Sequence, residues 1–402
     1  MFSNTTARGG AEEHMLTLLR GLDRRYFRLQ LVCSPEVASL MAHDIPDDVA
    51  VYPLVFQNPW QVSGGLRLAR FLRRHGTDVL HSHMFRSSFA ASPVGRLCGV
   101  PMIVETPHVR EHWRQGLLKS HFFVDRVASR FVDYYIAVSE ANARYLIGKK
   151  GLPARKIRVI RNGCDLGTFA PPPGARRKMR MNLGLVEEDP VLIVVGRLEP
   201  QKGHRLLLDA FVTVRRDFPG AKLVCVGTGS LEQDLNERTR ALGLGASVQF
   251  VGYQSNVAHW LAMADVCVLP SFYEGLPLVA IESSAAGCPM VATEVDGTTE
   301  VVINGKTGLT VPPGDSARLA QAICQILRDG EMRRHFGQNA RAWVTEHFDK
   351  SMQLQQTQDL YLEAFPTPAE FRRMGDSTSE DKKAVAGSRS AVKEAIGEIS
   401  TR

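Results

Sequence analysis

Pro270-Ser-Phe-Tyr-Glu-Gly-Leu-Pro-Leu-Val-Ala-Ile-Glu-Ser-Ser-Ala-Ala-Gly-Cys-Pro289 decides how this chain reads. It continues a short apolar run, residues 265–270, of the kind buried inside a parallel sheet. Pro277 suits the first position of a helix, and Gly287 followed by Pro289 stops one. Glu274 therefore falls in the loop ahead of the helix, and Glu282 about one and a half turns inside it. In an open α/β sheet, ligands bind at that junction beyond the carboxyl end of a strand. The N–H groups of a helix start also favour an anion such as phosphate. A capped surface helix with two solvated glutamates has the same spacing, so the rest of the chain must decide.

Working outward, strand-like runs alternate with helical stretches, as expected for βαβ units and parallel sheets. In the first half they fall at residues 27–33, 78–83, 101–106, 133–139 and 156–161. In the second half they fall at 190–196, 221–227, 247–252, 265–270, 288–293 and 308–311. Between the halves, Ala170-Pro-Pro-Pro-Gly-Ala-Arg-Arg-Lys breaks both helix and strand. The expected organisation is an N-terminal Rossmann-like domain over 1–170, a linker over 171–189 and a second Rossmann-like domain over 190–345. A helix over 346–365 and a polar, aperiodic, disordered tail over 366–402 complete it. A length of 402 residues fits two domains plus an appendage.

The charge is lopsided. Residues 1–170 carry 23 Lys and Arg against 14 Asp and Glu, and the remainder carries 26 against 28. A basic first half implies an anionic partner. Zinc-finger spacing, RNP-like sequence and a clustered basic arm are all absent, which argues against nucleic acid and leaves an anionic lipid surface or a plain solvated basic face. Residues 111–135 mix Trp113, Phe122, Phe123 and Phe131 with Arg114, Lys119, Arg126 and Arg130, as an interfacial amphipathic helix would. Packing of that apolar face on its own sheet explains the pattern equally well. The 7 cysteines are scattered without a C-x-x-C pair, which reads as buried thiols in a cytoplasmic protein. There is no run of eighteen apolar residues and no secretory signal.

Candidate phosphate ligands lie in Val195-Gly196-Arg197-Leu198 and Lys202-Gly203, where a strand ends and the next helix begins. Arg binds phosphate oxygens bidentately and Lys supplies a point charge. Gly9-Gly10-Ala11-Glu12 could bring backbone close to phosphates at another helix start. His108 follows an apolar strand in Glu105-Thr-Pro-His, and His81 and His83 end another. Spaced two apart, His81 and His83 point to one face of that strand. A third ligand is missing nearby, so no metal is expected. Gly227-Thr-Gly229 lacks the third glycine of a dinucleotide fingerprint and reads as a tight turn.

These motifs together resemble glycosyltransferase family 4, the retaining enzymes of the GT-B fold. Glu274 and Glu282 match its E-x7-E signature, Arg197 and Lys202 its GR…KG clamp, and Gly9-Gly10 its glycine-rich loop. The resemblance implies two Rossmann-like domains facing across a cleft, with the last helix crossing back onto the first domain. It implies a nucleotide-diphosphate sugar as donor, UDP- or GDP-linked, and an acceptor hydroxyl on a saccharide or lipid-linked saccharide. It assigns the transferred sugar to Glu274 with the backbone of Gly275, Leu276 and Pro277, and the donor ribose to Glu282. His108 takes the active-site histidine position. The D-x-D pair of metal-dependent transferases is absent, so no cofactor or metal is expected. The site at the inner face of the cytoplasmic membrane fits the basic first half. An epimerase of the same shape and a non-catalytic sugar-nucleotide sensor are the alternatives.

One expectation is negative. In the resembled family an apolar strand precedes the glycine-rich loop, whereas here only Met-Phe-Ser-Asn-Thr-Thr-Ala-Arg does. The sheet should then lack a strand, and a start upstream or a truncated, poorly folding chain would follow.

Overall fold

The computed structural model describes residues 1–5, 8–56, 60–108 and 121–365. Two compact units divide the chain, one from Met1–Arg161 with the returning chain from Ser351, the other Asn162–Lys350.

In the second unit, β7 (Val191–Val195), β8 (Lys222–Val226), β9 (Val248–Phe250), β10 (Val266–Leu269), β11 (Met290–Thr293) and β12 (Gly308–Val311) form one parallel sheet. Its order is β12-β11-β10-β7-β8-β9. The chain runs outward from β7 to β9 and returns to β10 on the other side, so the order reverses between β7 and β10. Loops diverge at such a switch point and leave a crevice beyond the strand ends. The Val-, Leu- and Ile-rich strands are buried on both faces because helices cover both. Helices His204–Asp217 and Ser316–Arg328 supply much of the cover, closing a core around Leu192, Phe211, Leu223 and Ile323.

The stretch expected as a linker is corrected here. It contains a helix, Ala175–Asn182, that belongs to the second unit. Arg180 is 1% exposed and donates from Nη2 to Asp265 Oδ2 at 2.9 Å and from Nε to the Met263 carbonyl at 3.0 Å. Composition misled because a buried, paired arginine looks like a surface one in sequence.

The first unit is built on the same plan. β3 (Val79–His83), β4 (Met102–Thr106), β5 (Tyr134–Ala137) and β6 (Ile157–Val159) form one parallel sheet, and β1 (Gln30–Cys33) pairs with β2 (Ala50–Pro53). β2 escaped the sequence reading, being four residues between Asp-Asp and Leu54. Residues 1–3 join the two pieces: Phe2 bridges Val32 and Ser82 in parallel, and its N–H donates to the His81 carbonyl at 2.8 Å. The Phe2 side chain is 0% exposed. The slot judged empty is therefore filled. Three residues with one buried aromatic occupy it, between short neighbours.

The helix Gly330–His347 ends the second unit, and Lys350–Leu362 packs on the first. Leu360 and Tyr361 close a core with Leu18, Leu22, Met102, Val104 and Ile136. The tail 366–402 and the start of the expected amphipathic stretch lie outside the described residues. The described part of that stretch is a helix over His121–Ala128 with Phe123 exposed, ending in β5.

Candidate active site

In the second unit, the loops after β7 and β10 meet at the switch point. The β10 loop carries Glu274, which is buried, and the β7 loop carries Lys202. Lys202 Nζ donates to Glu274 Oε1 at 2.6 Å, and Ser271 Oγ donates to the same oxygen at 2.6 Å. The Glu274 N–H donates to Asp296 Oδ2 at 2.9 Å. Gln201 links the two loops again, donating from Nε2 to the Tyr273 carbonyl and accepting from the Phe272 N–H, both at 2.8 Å. Gly203 is what lets them approach. It sits at φ +68°, and a Cβ there would fall 2.0 Å from the Pro270 carbonyl oxygen. Gly227, at φ +135°, similarly admits the Gly196 carbonyl beside the turn that carries Arg197.

The Arg197 side chain is exposed and makes no hydrogen bond or ion pair among the described residues, while its carbonyl accepts from the Glu199 N–H at 2.8 Å. It lies close enough to Glu199 to help lower that carboxyl, after the Ser230 N–H and hydroxyl, which do more. The result is one fixed cation, one available cation and one oriented carboxylate.

The helix Leu278–Ala285 starts one residue after Pro277, which is its N-cap. The N–H groups of Leu278 and Val279, in its first turn, and of Leu276 ahead of the cap find no acceptor among the described residues. Gly275 is held by its carbonyl, which accepts from the Gly297 N–H at 3.0 Å. Glu282 is half-buried in the second turn beside Cys164, whose thiol is raised first by burial and then by that carboxylate.

Two residues the sequence reading did not place in the site support it. Asn162 donates from Nδ2 to the Leu276 carbonyl at 3.2 Å. Asp296 takes φ +43°, a strained value for a residue with a Cβ, where it meets the Glu274 N–H. Asp296-Gly297 signals a turn in sequence, but nothing local shows that the turn reaches Glu274. Tyr253 is 56% exposed on the loop after β9.

The first unit carries a separate group of side chains, also at a switch point, between residues 1–3 and β3. Gly9 caps the helix Gly10–Gly21, and Glu12 Oε2 accepts the Gly9 N–H at 2.9 Å. Open space surrounds a Cβ placed on Gly10. His108 is 7% exposed after β4, and its Nε2 lies 3.1 Å from Nδ1 of His83 at the end of β3. His14, on the first helix, packs edge-on against both, with ring centroids 5.4 and 4.8 Å away. Burial, then neighbouring histidines, lowers His83 and His108 well below the ordinary imidazole value, so both are neutral at pH 7. His81 is spent elsewhere, with Nδ1 on the Tyr361 hydroxyl and Nε2 on Thr106 Oγ1 at 2.7 Å.

Two parallel, doubly wound units of this kind define the GT-B class. Consistent with that, Anabaena HepE, solved in complex with UDP-glucose, superposes with a TM-score of 0.78 at 23% identity over 90% of this chain and 98% of that one. The family description "Glycosyl transferases group 1" matches residues 175–343, and "Glycosyltransferase Family 4" matches residues 8–168. A glycogen synthase of Mycobacterium tuberculosis is 33% identical over 313 residues, 75% of this chain and 73% of that protein. A UDP-Gal:alpha-D-GlcNAc-diphosphoundecaprenol alpha-1,3-galactosyltransferase of Escherichia coli is 25% identical over 304 residues, 74% of this chain and 78% of that one. The chain belongs to the group 1 glycosyl transferases, and it is a glycosyltransferase that uses a nucleotide sugar.

Proposed function

We propose that this chain transfers a sugar, with retention of anomeric configuration and without a metal, from a UDP- or GDP-sugar to a hydroxyl of a saccharide or lipid-linked saccharide. The observation that carries the reading is the Lys202–Glu274 pair at 2.6 Å, at a switch point, beside a helix start with unpartnered N–H groups. Lys202 and Arg197 take the diphosphate, and preorganised charge at a developing anion is usually the largest catalytic contribution. Glu274, pinned by Ser271 and Lys202, accepts from hydroxyls of the transferred sugar, while Glu282 holds the ribose. His108 contacts the sugar or acceptor.

The bond from the anomeric carbon to the β-phosphate oxygen breaks, and the nucleoside diphosphate leaves with those electrons. The acceptor oxygen bonds to the anomeric carbon on the same face, and its proton passes to the departing phosphate. UDP-sugars are the first donors to try, since HepE was solved with UDP-glucose and the E. coli relative is named for UDP-Gal.

The place of work proposed is the inner face of the cytoplasmic membrane. No described helix is long and apolar enough to cross a membrane. The helix Val62–Arg74 offers a different contact: Trp60, Val62 and Leu66 are 85%, 69% and 63% exposed, beside Arg67, Arg70, Arg73 and Arg74. Apolar tips with basic neighbours suit an anionic lipid surface.

The test is nucleotide release and product formation with a panel of nucleotide sugars, in EDTA, with and without candidate acceptors. Acceptor-dependent transfer is expected. A donor converted to its epimer without acceptor, or binding without turnover, would refute the reading.

A further inference from the structure

We propose that His14, His83 and His108 form a binding site for one divalent late transition metal ion, with Zn²⁺ the best-suited ion. Sequence spacing offered only a pair, His81 and His83, without a third ligand. Folding replaces His81, whose two nitrogens are taken, by two histidines from other elements. One ligating nitrogen from each of His14, His83 and His108 lies within 4.8 Å of the other two, and all three residues are buried.

The geometry is close to a tetrahedral site. Two nitrogens bound at about 2.0–2.1 Å to a tetrahedral ion lie ~3.3 Å apart. His83 Nδ1 and His108 Nε2 are already 3.1 Å apart, so an ion can replace the proton they share. His14 Nδ1 is held by the Gln353 side-chain amide at 3.0 Å, which leaves Nε2 as its ligating atom. A ligating histidine usually has its other nitrogen fixed by an outer partner, and Gln353 supplies one here. Closing the third bond asks for a shortening of up to about 1.5 Å from the observed 4.8 Å spacing, within reach of ring movement. Three imidazoles suit zinc and leave a fourth position for water or a substrate oxygen.

Occupancy would draw His108 away from substrate, so the ion acts as an inhibitor. That consequence rests on the role given to His108 above, but the site does not.

The experiment uses the full chain, treated with EDTA and desalted, then titrated with ZnCl₂ by calorimetry and with CoCl₂ by visible absorption. One tight equivalent and the absorption bands of tetrahedral cobalt are expected. His14→Gln and His108→Gln, each checked by circular dichroism and melting, should both lose it, while His43→Gln, at an exposed position, keeps it. A wild type without a tight equivalent, or one that survives in both folded variants, overturns the site. Zn²⁺ should also inhibit transfer at the binding midpoint, with reversal by EDTA. Tight binding without inhibition leaves the site standing and removes His108 from the reaction.

Discussion

The two units bring their candidate residues together in opposite ways. In the second unit, Arg197, Lys202 and Glu274 come from two loops at one switch point and Glu282 from the helix that follows; Lys202 pairs with Glu274, whose backbone N–H donates to Asp296. In the first unit, His14, His83 and His108 come from a helix, a strand end and a following loop, with Gln353 reaching them from the last described helix. There the groups are buried and packed ring on ring. A charged clamp tolerates exposure because backbone turns aim it. A packed ring cluster needs a surrounding core to fix each ring.

That contrast can be broken first at Gly203. Replacing it by Ala puts a side chain into left-handed backbone and within 2.0 Å of the Pro270 carbonyl oxygen. The expected loss is about 2–5 kcal/mol, since left-handed geometry costs ~1–2 and forced displacement ~1–3. A drop in melting temperature measures it; an unchanged melt would mean the β7 and β10 loops are not held as described.

His204 sharpens the comparison, being a buried histidine of the second unit with neither ring nitrogen partnered among the described residues. Burial, and then Lys202, lowers its pKa from 6.5 to about 4. The unfolded chain therefore takes up this proton first as pH falls. The stability from keeping His204 neutral is complete above pH 6.5 and lost as pH drops toward 4, by about 3 kcal/mol in all. Denaturant unfolding of His204→Leu should show a flatter pH dependence than wild type across that window. Parallel curves would refute it.

The smallest effect concerns the first unit's frame. Tyr361→Phe removes the hydroxyl that partners buried His81 Nδ1 and should cost about 1–2 kcal/mol in denaturant unfolding. No change would mean the last helix does not support the histidine-bearing strand.

The same contrast explains what was legible in the sequence. Six strands of the second unit and the order of its site residues follow from apolar runs and short motifs, because the residues that meet are close to strand ends the pattern marks. Arg180 and Asp296 were not legible, since a buried ion pair and a strained turn look like surface charge and an ordinary loop. In the first unit, Phe2 filling a strand slot and His14 joining His83 depend on contacts across distant segments. Neither leaves a local signature.

The central claim is that side chains of the second unit hold the departing diphosphate. Steady-state turnover of Lys202→Ala, measured in EDTA on the donor that wild type accepts, tests it most directly. Turnover about 10²–10³-fold below wild type, with an unchanged melt, is the predicted result. Turnover equal to wild type, or wild-type activity that vanishes in EDTA and returns with Mg²⁺ or Mn²⁺, would contradict the account.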